Sequence, residues 1–248
     1  MSRTSRFRRS IDTGIRRTGQ ASDRVLDDKL LPAWRKATTG EPRWPVTITV
    51  FGALAMQYSL PEQVQLHHRW ILPAIGMVLV IALEIARPQK LTEVSPTIRV
   101  LGLLMLASLG IANVVSGTRL VAELLDGTFR GTPARLLLTG GAIWLTNVIV
   151  FGLLYWELDR GGPLARQLGS DRFPDFAFVQ MTDPELAPPD WSAGFVDYFY
   201  LSFTNASAFS PTDVLPMTRW AKLTMMLQSA VSLITVALVV ARAVNILK

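Results

Sequence analysis

The chain has no cysteine and only two histidines among its 248 residues. The missing cysteines exclude disulfide bonds, thiolate metal sites and a cysteine nucleophile. His67 and His68 are adjacent, and without a third histidine we expect no metal site around them. The sequence also lacks the H-E-x-x-H and G-x-S-x-G motifs and a phosphate-binding glycine loop. It therefore predicts a protein that is not an enzyme and that carries no metal and no cofactor.

Charged side chains are scarce within five apolar runs of the sequence. A helix needs about 20 apolar residues to cross a bilayer, and local thinning of the bilayer accommodates shorter ones. The charges lie between the runs rather than along one face of each, as they would in soluble amphipathic helices. The sequence predicts an all-α, multi-pass transmembrane bundle in the cell membrane. Its single transmembrane domain, residues 44–248, has spans at about 46–60, 70–86, 100–118, 136–156 and 217–242.

Residues 1–43 form a basic arm that contains 11 of the 25 lysines and arginines. Beside a membrane span, such an arm attracts anionic lipid headgroups by about 1 kcal/mol per basic residue. We expect this lipid contact and no binding of nucleic acid. With five spans, the side of the arm carries 19 Lys and Arg residues and the opposite side carries 6. Because basic residues favour the cytoplasm, the N-terminus is predicted to be cytoplasmic.

The stretch before the last span, residues 194–213, is named here the pore-like segment. Its apolar part, 195–209, is too short to cross a bilayer comfortably and contains Asp197 and Asn205. Polar side chains of this kind suit a half-helix that is buried in protein rather than exposed to lipid. We predict a re-entrant half-helix here, followed by a tight turn and the last span.

This region resembles the pore module of tetrameric potassium channels, which consists of a pore helix, a filter loop and an inner helix. The resemblance rests on Asp197-Tyr198-Phe199-Tyr200-Leu201-Ser202-Phe203, then Ala208-Phe209-Ser210-Pro211-Thr212-Asp213-Val214-Leu215-Pro216, and then Trp220 and Lys222. It implies a pore helix that includes Asp197 and Asn205, and a homotetramer with ion permeation at its axis. The layout is also similar to an uncharacterised family of bacterial multi-pass membrane proteins with a degenerate loop of this kind.

The sequence departs from the potassium-channel pattern at the filter. Ser210, Pro211 and Thr212 stand where that family has Gly-Tyr-Gly, while Asp213 matches its aspartate. The glycines allow carbonyl groups to line up around the ion, and proline fixes φ, so potassium selectivity is not expected. The same four residues also fit a helix start, with a Ser cap followed by Pro and then an acidic residue. Both interpretations of the turn remain open.

The orientation of the pore-like segment gives two conflicting predictions. Pore loops of potassium channels enter from outside, and four preceding spans would then place the N-terminus outside as well. The charge distribution predicts a cytoplasmic N-terminus. A miscounted span would reconcile the two.

Polar residues recur along one side of the last span. At about 100° per residue they fall within an arc of roughly 80°. They are Thr224, Gln228, Ser232, Thr235 and Arg242. Such a stripe faces protein or water, so it either lines a conduit or bonds to other helices, with Asn113 and Asn147 as candidate partners.

The sequence therefore predicts an integral membrane protein with a channel-like pore module and passive ion permeation. The alternative is a non-catalytic membrane scaffold or assembly protein whose polar residues only pack helices together. The least favoured alternative is an intramembrane enzyme with paired carboxylates. A channel would form a homo-oligomer, and a scaffold a monomer.

Overall fold

A computed structural model describes residues 36, 38, 41–42, 44–65, 70–85, 96–169, 173–183, 185, 187–188, 190–208 and 213–247. Most of the basic arm lies outside these residues. Of the predicted turn, Asp213 is described, whereas Ser210, Pro211 and Thr212 lie outside the described residues.

The described residues form eight α-helices, two short 3₁₀ turns and two strands. The helices are α1 (Trp44–Ser59), α2 (Ile71–Ile85), α3 (Pro96–Leu125), α4 (Pro133–Leu158), α5 (Pro163–Gln167), α6 (Val179–Thr182), α7 (Phe195–Ala208) and α8 (Arg219–Leu247). The 3₁₀ turns are Glu62–Val64 and Asp159–Gly161, and the strands are β1 (Phe176–Phe178) and β2 (Val214–Pro216). The start of α4 follows from its sequence: Thr132 accepts a hydrogen bond from the Arg135 amide over 3.2 Å, and Pro133 follows this cap.

The prediction of a mostly helical fold is confirmed, and the described helices are compatible with a membrane protein. Among the described residues, three helices are long and apolar enough to cross a bilayer, namely α3, α4 and α8. Helices α1 and α2 have 16 and 15 residues. At 1.5 Å per residue they are about 24 and 22 Å long, which is shorter than a hydrocarbon core of about 30 Å. The small antiparallel sheet was not predicted.

Helix α4 lies at the centre of the bundle and packs against α1, α3, α7 and α8. Glycines let two of these neighbours approach closely. A Cβ atom at Gly140 would lie 2.6 Å from Cγ2 of Val239 in α8. A Cβ atom at Gly152 would lie 3.2 Å from the Cα atom of Phe199 in α7. Small residues at such contacts are typical of helix packing in membranes.

One end of the bundle gathers the end of α4 and the starts of α7 and α8. The Trp156 ring lies 5.9 Å from the Phe195 ring. The Phe176 ring of β1 lies 5.6 Å from the Trp220 ring near the start of α8. Residue Glu41, which precedes α1, accepts a hydrogen bond from Trp156 Nε1 over 2.9 Å. We call this the arm end, because the basic arm joins the bundle here.

The opposite end, here called the far end, has its own apolar cluster. Val64 follows α1, Leu124 lies in the last turn of α3, Leu136 lies near the start of α4, and Ala243 lies near the end of α8. All four are buried in one cluster. Helices α1, α3, α4 and α8 therefore each extend from one end of the bundle to the other.

Candidate functional site

Helix α7, which forms most of the described part of the pore-like segment, is short and is capped by carboxylates. Its 14 residues are about 21 Å long at 1.5 Å per residue. Asp197 Oδ2 accepts a hydrogen bond from the Gly194 amide over 2.8 Å. Glu41 accepts a further bond from the Phe195 amide. Both carboxylates satisfy amide groups that a helix start leaves without partners, and negative charge is favourable there. Asp197 thus has a capping role at the start of α7.

The chain that follows α7 also contacts the arm end. Strand β2 pairs antiparallel with β1, with Val214 opposite Phe178. The Phe178 ring lies 5.3 Å from the ring of Tyr198 in the second turn of α7. Beyond the strand, Trp220 Nε1 donates to Asp175 Oδ1 over 2.8 Å. Both flanks of α7 therefore lie at one end of the bundle.

The last turns of α7 pack against a part of α8 that lies well beyond the start of that helix. Asn205 Nδ2 donates to the Met225 carbonyl over 3.0 Å and to Gln228 Oε1 over 2.8 Å. Ser229 Oγ donates to Asn205 Oδ1 over 3.1 Å. Gln228 is nine residues beyond the start of α8 at Arg219, which corresponds to about 14 Å along the helix axis. The predicted pore-helix residue Asn205 thus joins α7 to α8 well inside the bundle.

Gln228 is the centre of this polar network and is fully buried. Its Oε1 atom accepts hydrogen bonds from Tyr155 Oη and Asn205 Nδ2, each over 2.8 Å. Its Nε2 atom donates to the carbonyl and the hydroxyl of Ser202 over 3.0 and 2.6 Å. Ser202 Oγ in turn donates to the Val148 carbonyl of α4 over 2.6 Å. One side chain of the predicted polar stripe therefore ties α4, α7 and α8 together.

The other stripe residues also bond within the chain. Asn147 Nδ2 of α4 donates to Ser232 Oγ over 3.1 Å. Thr224 and Thr235 donate to carbonyl groups of their own helix. Asn113, the other candidate partner of the stripe, accepts instead from Gln57 Nε2 of α1 over 3.3 Å. Within a single chain, the stripe from Gln228 to Thr235 faces protein, and its outward-facing neighbours are apolar.

A buried ionic cluster at the arm end was missed by the sequence analysis. Asp159, Arg160 and Arg166 are at most 4% exposed. Asp159 Oδ2 accepts hydrogen bonds from Tyr198 Oη over 2.5 Å and from Arg160 Nε over 3.3 Å. Its Oδ1 atom accepts from the Asp175 amide over 2.8 Å. One carboxylate therefore connects the end of α4, the strand β1 and the start of α7.

Arg166 completes this cluster from α5. Its Nη1 atom donates to the carbonyls of Trp156 and Asp159, each over 2.8 Å. Its guanidinium lies 4.9 Å from the centre of the Tyr198 ring, within the range of a cation–π contact. Arg160 adopts a φ of 52°, a conformation that few residues other than glycine take up. The Arg160 amide donates to Asp175 Oδ2 over 3.1 Å, so surrounding contacts hold this turn in place.

The signals for this cluster were present in the sequence, but its partners were not evident. The run from Trp156 to Pro163 indicated only where a span ends. Asp159 contacts Tyr198, which lies 39 residues further along the chain. No local pattern predicts such a contact.

Asp213, the described member of the predicted turn, is half-buried immediately before β2. In the described ranges, no three His, Cys, Asp or Glu side chains are grouped so that they could hold a metal ion. The arrangement at the site is therefore a half-length helix, capped by carboxylates, held between two long helices by buried polar side chains.

No known protein family, curated protein or solved structure matches this chain.

Proposed function

We propose that this protein is a multi-pass membrane protein in which α4, α7 and α8 form a pore module, and that ions permeate passively at the axis of a homo-oligomer. One observation carries the proposal. Both flanks of α7 contact the arm end, through Tyr198 and Trp220, while Asn205 bonds to Gln228 about 14 Å along α8. A re-entrant segment requires this combination, because its chain enters the membrane and leaves it on the same side.

The length of the chain is compatible with this return. From Ala208 back to the level of Tyr198 is ten residues of helix, or about 15 Å. The six residue steps from Ala208 to Val214 reach up to about 20 Å when extended. The link between α7 and β2 is thus long enough to lead back to the arm end. In this proposal α1 and α2 are the first two of five spans, and local thinning of the bilayer accommodates their short length.

The conduit in this proposal is formed by the turn rather than by the polar stripe. Gln228 and Ser232 have hydrogen-bond partners within their own chain: Gln228 joins α8 to α4 and α7, and Ser232 joins α8 to α4. One protomer contributes a single half-helix, and several copies around an axis are needed to surround an ion. Asp213 of each protomer is assigned to this axis; Ser210, Pro211 and Thr212 of the predicted turn lie outside the described residues. Since the glycines of a potassium filter are missing, permeation is not selective for potassium.

The experiment is the oligomeric mass of the purified protein in native-like lipid discs. A tetramer supports the pore module, because four copies place four turns around one axis. A monomer at all protein concentrations contradicts it, since a single re-entrant segment has no axis to line.

A second candidate function is a membrane scaffold or assembly protein. The observation in its favour is the hydrogen-bonded stripe, because the polar side chains of α8 hold helices together within one chain. This candidate predicts a monomeric bundle and no ion flux in liposomes.

A further inference from the structure

The last residues of the basic arm contact the start of α7. Glu41 accepts hydrogen bonds from the Phe195 amide and from Trp156 Nε1. The Thr38 amide donates to the carbonyl of Gln167, the last residue of α5, over 3.0 Å. A Cβ atom at Gly194 would lie 3.0 Å from Glu41 Oε1, so the carboxylate sits directly against the chain that leads into α7. The arm and the pore-like segment therefore meet at one end of the bundle.

This contact bears on the conflict between the two predicted orientations. The arm and α7 cannot lie on opposite sides of the membrane, however the spans are counted, because Glu41 touches residues of both α4 and α7. The orientation of the arm consequently fixes the orientation of the pore-like segment.

The basic residues favour one orientation strongly. In the sequence, 11 Lys and Arg residues precede α1, which begins at the arm end, and the described residues Arg99, Arg160, Arg166, Arg219 and Lys222 lie at that end as well. The described basic residues of the far end are Arg119, Arg130, Arg135 and Arg242. Lysine and arginine accumulate on the cytoplasmic side of membrane proteins.

We infer that the arm end is the cytoplasmic face and that the pore-like segment opens toward the cytoplasm. This is the reverse of the orientation that the potassium-channel resemblance implies. The statement about an opening rests on the proposed function, whereas the orientation of α7 does not. In the proposed channel, permeating ions reach Asp213 from the cytoplasm.

The absence of cysteine makes the orientation directly measurable. Asp190 precedes α7 at the arm end, and Asp126 follows α3 at the far end, and both are exposed. The single-cysteine variants Asp190→Cys and Asp126→Cys form a matched pair in an otherwise cysteine-free chain. Each is expressed in bacterial cells and treated with a membrane-impermeant maleimide, once in spheroplasts and once in inverted membrane vesicles.

We expect Asp126→Cys to be labelled in spheroplasts and Asp190→Cys only in inverted vesicles, with at least a tenfold difference between the two preparations. The reverse pattern overturns the inference, and so does labelling of both variants from the same side. Denatured samples of each variant confirm that the thiol reacts once it is exposed.

A second measurement separates this inference from the proposed function. Asp213→Cys is labelled in the same two preparations, and flux is measured in parallel with wild-type protein in liposomes. Labelling of Asp213→Cys only in inverted vesicles, together with an absence of flux, supports the inferred orientation and contradicts the proposed channel. Flux together with labelling of Asp213→Cys only in spheroplasts contradicts the inferred orientation and supports the channel.

Discussion

Tyr155 and Gln228 meet inside the bundle, where the tyrosine hydroxyl of α4 donates a hydrogen bond to Gln228 Oε1 of α8 over 2.8 Å. Both side chains are fully buried. Asn205 of α7 donates to the same oxygen, so three helices share one acceptor atom. Interhelical hydrogen bonds of this kind are each worth about 0.6–2 kcal/mol in membranes.

Replacing this amide tests the network. Gln228→Met keeps the volume but leaves Tyr155 Oη, Asn205 Nδ2 and Ser202 Oγ each with one partner fewer. We expect a loss of about 2–3 kcal/mol in the free energy of unfolding, because buried polar groups without partners are costly. The measurement is thermal or denaturant unfolding in mild detergent. Leu227→Ala, at the neighbouring outward-facing position, is the control. Equal stability of Gln228→Met and wild type would show that the network contributes nothing.

Two adjacent glycines of α4 provide a matched pair of variants. Gly140→Ala places a Cβ atom 2.6 Å from Val239, whereas Gly141→Ala meets nothing within 4 Å. We expect Gly140→Ala to destabilise the protein by about 1–3 kcal/mol through overpacking. Gly141→Ala is expected to be neutral or to stabilise by up to about 1 kcal/mol, because alanine favours a helix. Melting temperatures of the two variants check this order, and a larger loss for Gly141→Ala would refute the packing of α4 on α8.

The ionic cluster predicts a large effect for one carboxylate. Asp159→Asn removes the charge of the carboxylate that pairs with the buried Arg160 guanidinium, and breaking such a pair costs about 3–5 kcal/mol. Tyr198→Phe removes one hydrogen bond to the same carboxylate and should cost less, about 1–3 kcal/mol. The exposed Asp126→Asn is the matched control. The double variant Asp159→Asn/Tyr198→Phe should lose less than the sum of the two single losses, as expected for residues in contact. Strict additivity would contradict the contact.

Glu41 predicts a local effect at the start of α7. Glu41→Gln removes the negative charge that faces the Phe195 amide and should weaken this cap by about 1 kcal/mol. Hydrogen exchange of the amides of residues 194–198 is expected to become faster, while exchange along α8 stays unchanged. Glu185→Gln, at an exposed position in the link before α7, is the control. Unchanged exchange at residues 194–198 would mean that the arm does not hold α7.

The sequence predicted the parts of this fold that depend on apolar length. The runs that contain α3, α4 and α8 are long enough to identify spans, and α7 (Phe195–Ala208) lies within the predicted half-helix. Strands β1 and β2 escaped prediction because each has three residues and they pair across a separation of almost 40 residues. A pattern that depends on one element alone can be recognised locally, whereas pairing between distant segments cannot.

The sequence identified which polar residues form the stripe, but it did not identify what their side chains face. The 100° periodicity identified the polar stripe that includes Gln228 and Ser232, and it indicated a side that avoids lipid. The periodicity could not tell whether these side chains contact water in a conduit or form hydrogen bonds with Ser202 and Asn147 of neighbouring helices. Only the packing of α7 between α4 and α8 decides where this stripe points within one chain.

Ion flux into liposomes that contain the purified protein tests the central claim most directly. Wild type and Asp190→Asn, which keeps the pore-like turn, are compared with Asp213→Asn, which removes the carboxylate at the end of that turn. The proposed pore module predicts flux of small ions for wild type and Asp190→Asn, and a loss of at least tenfold for Asp213→Asn. Flux in none of the three, from folded protein in sealed liposomes, would contradict the channel, and equal flux in all three would remove the turn from the conduit.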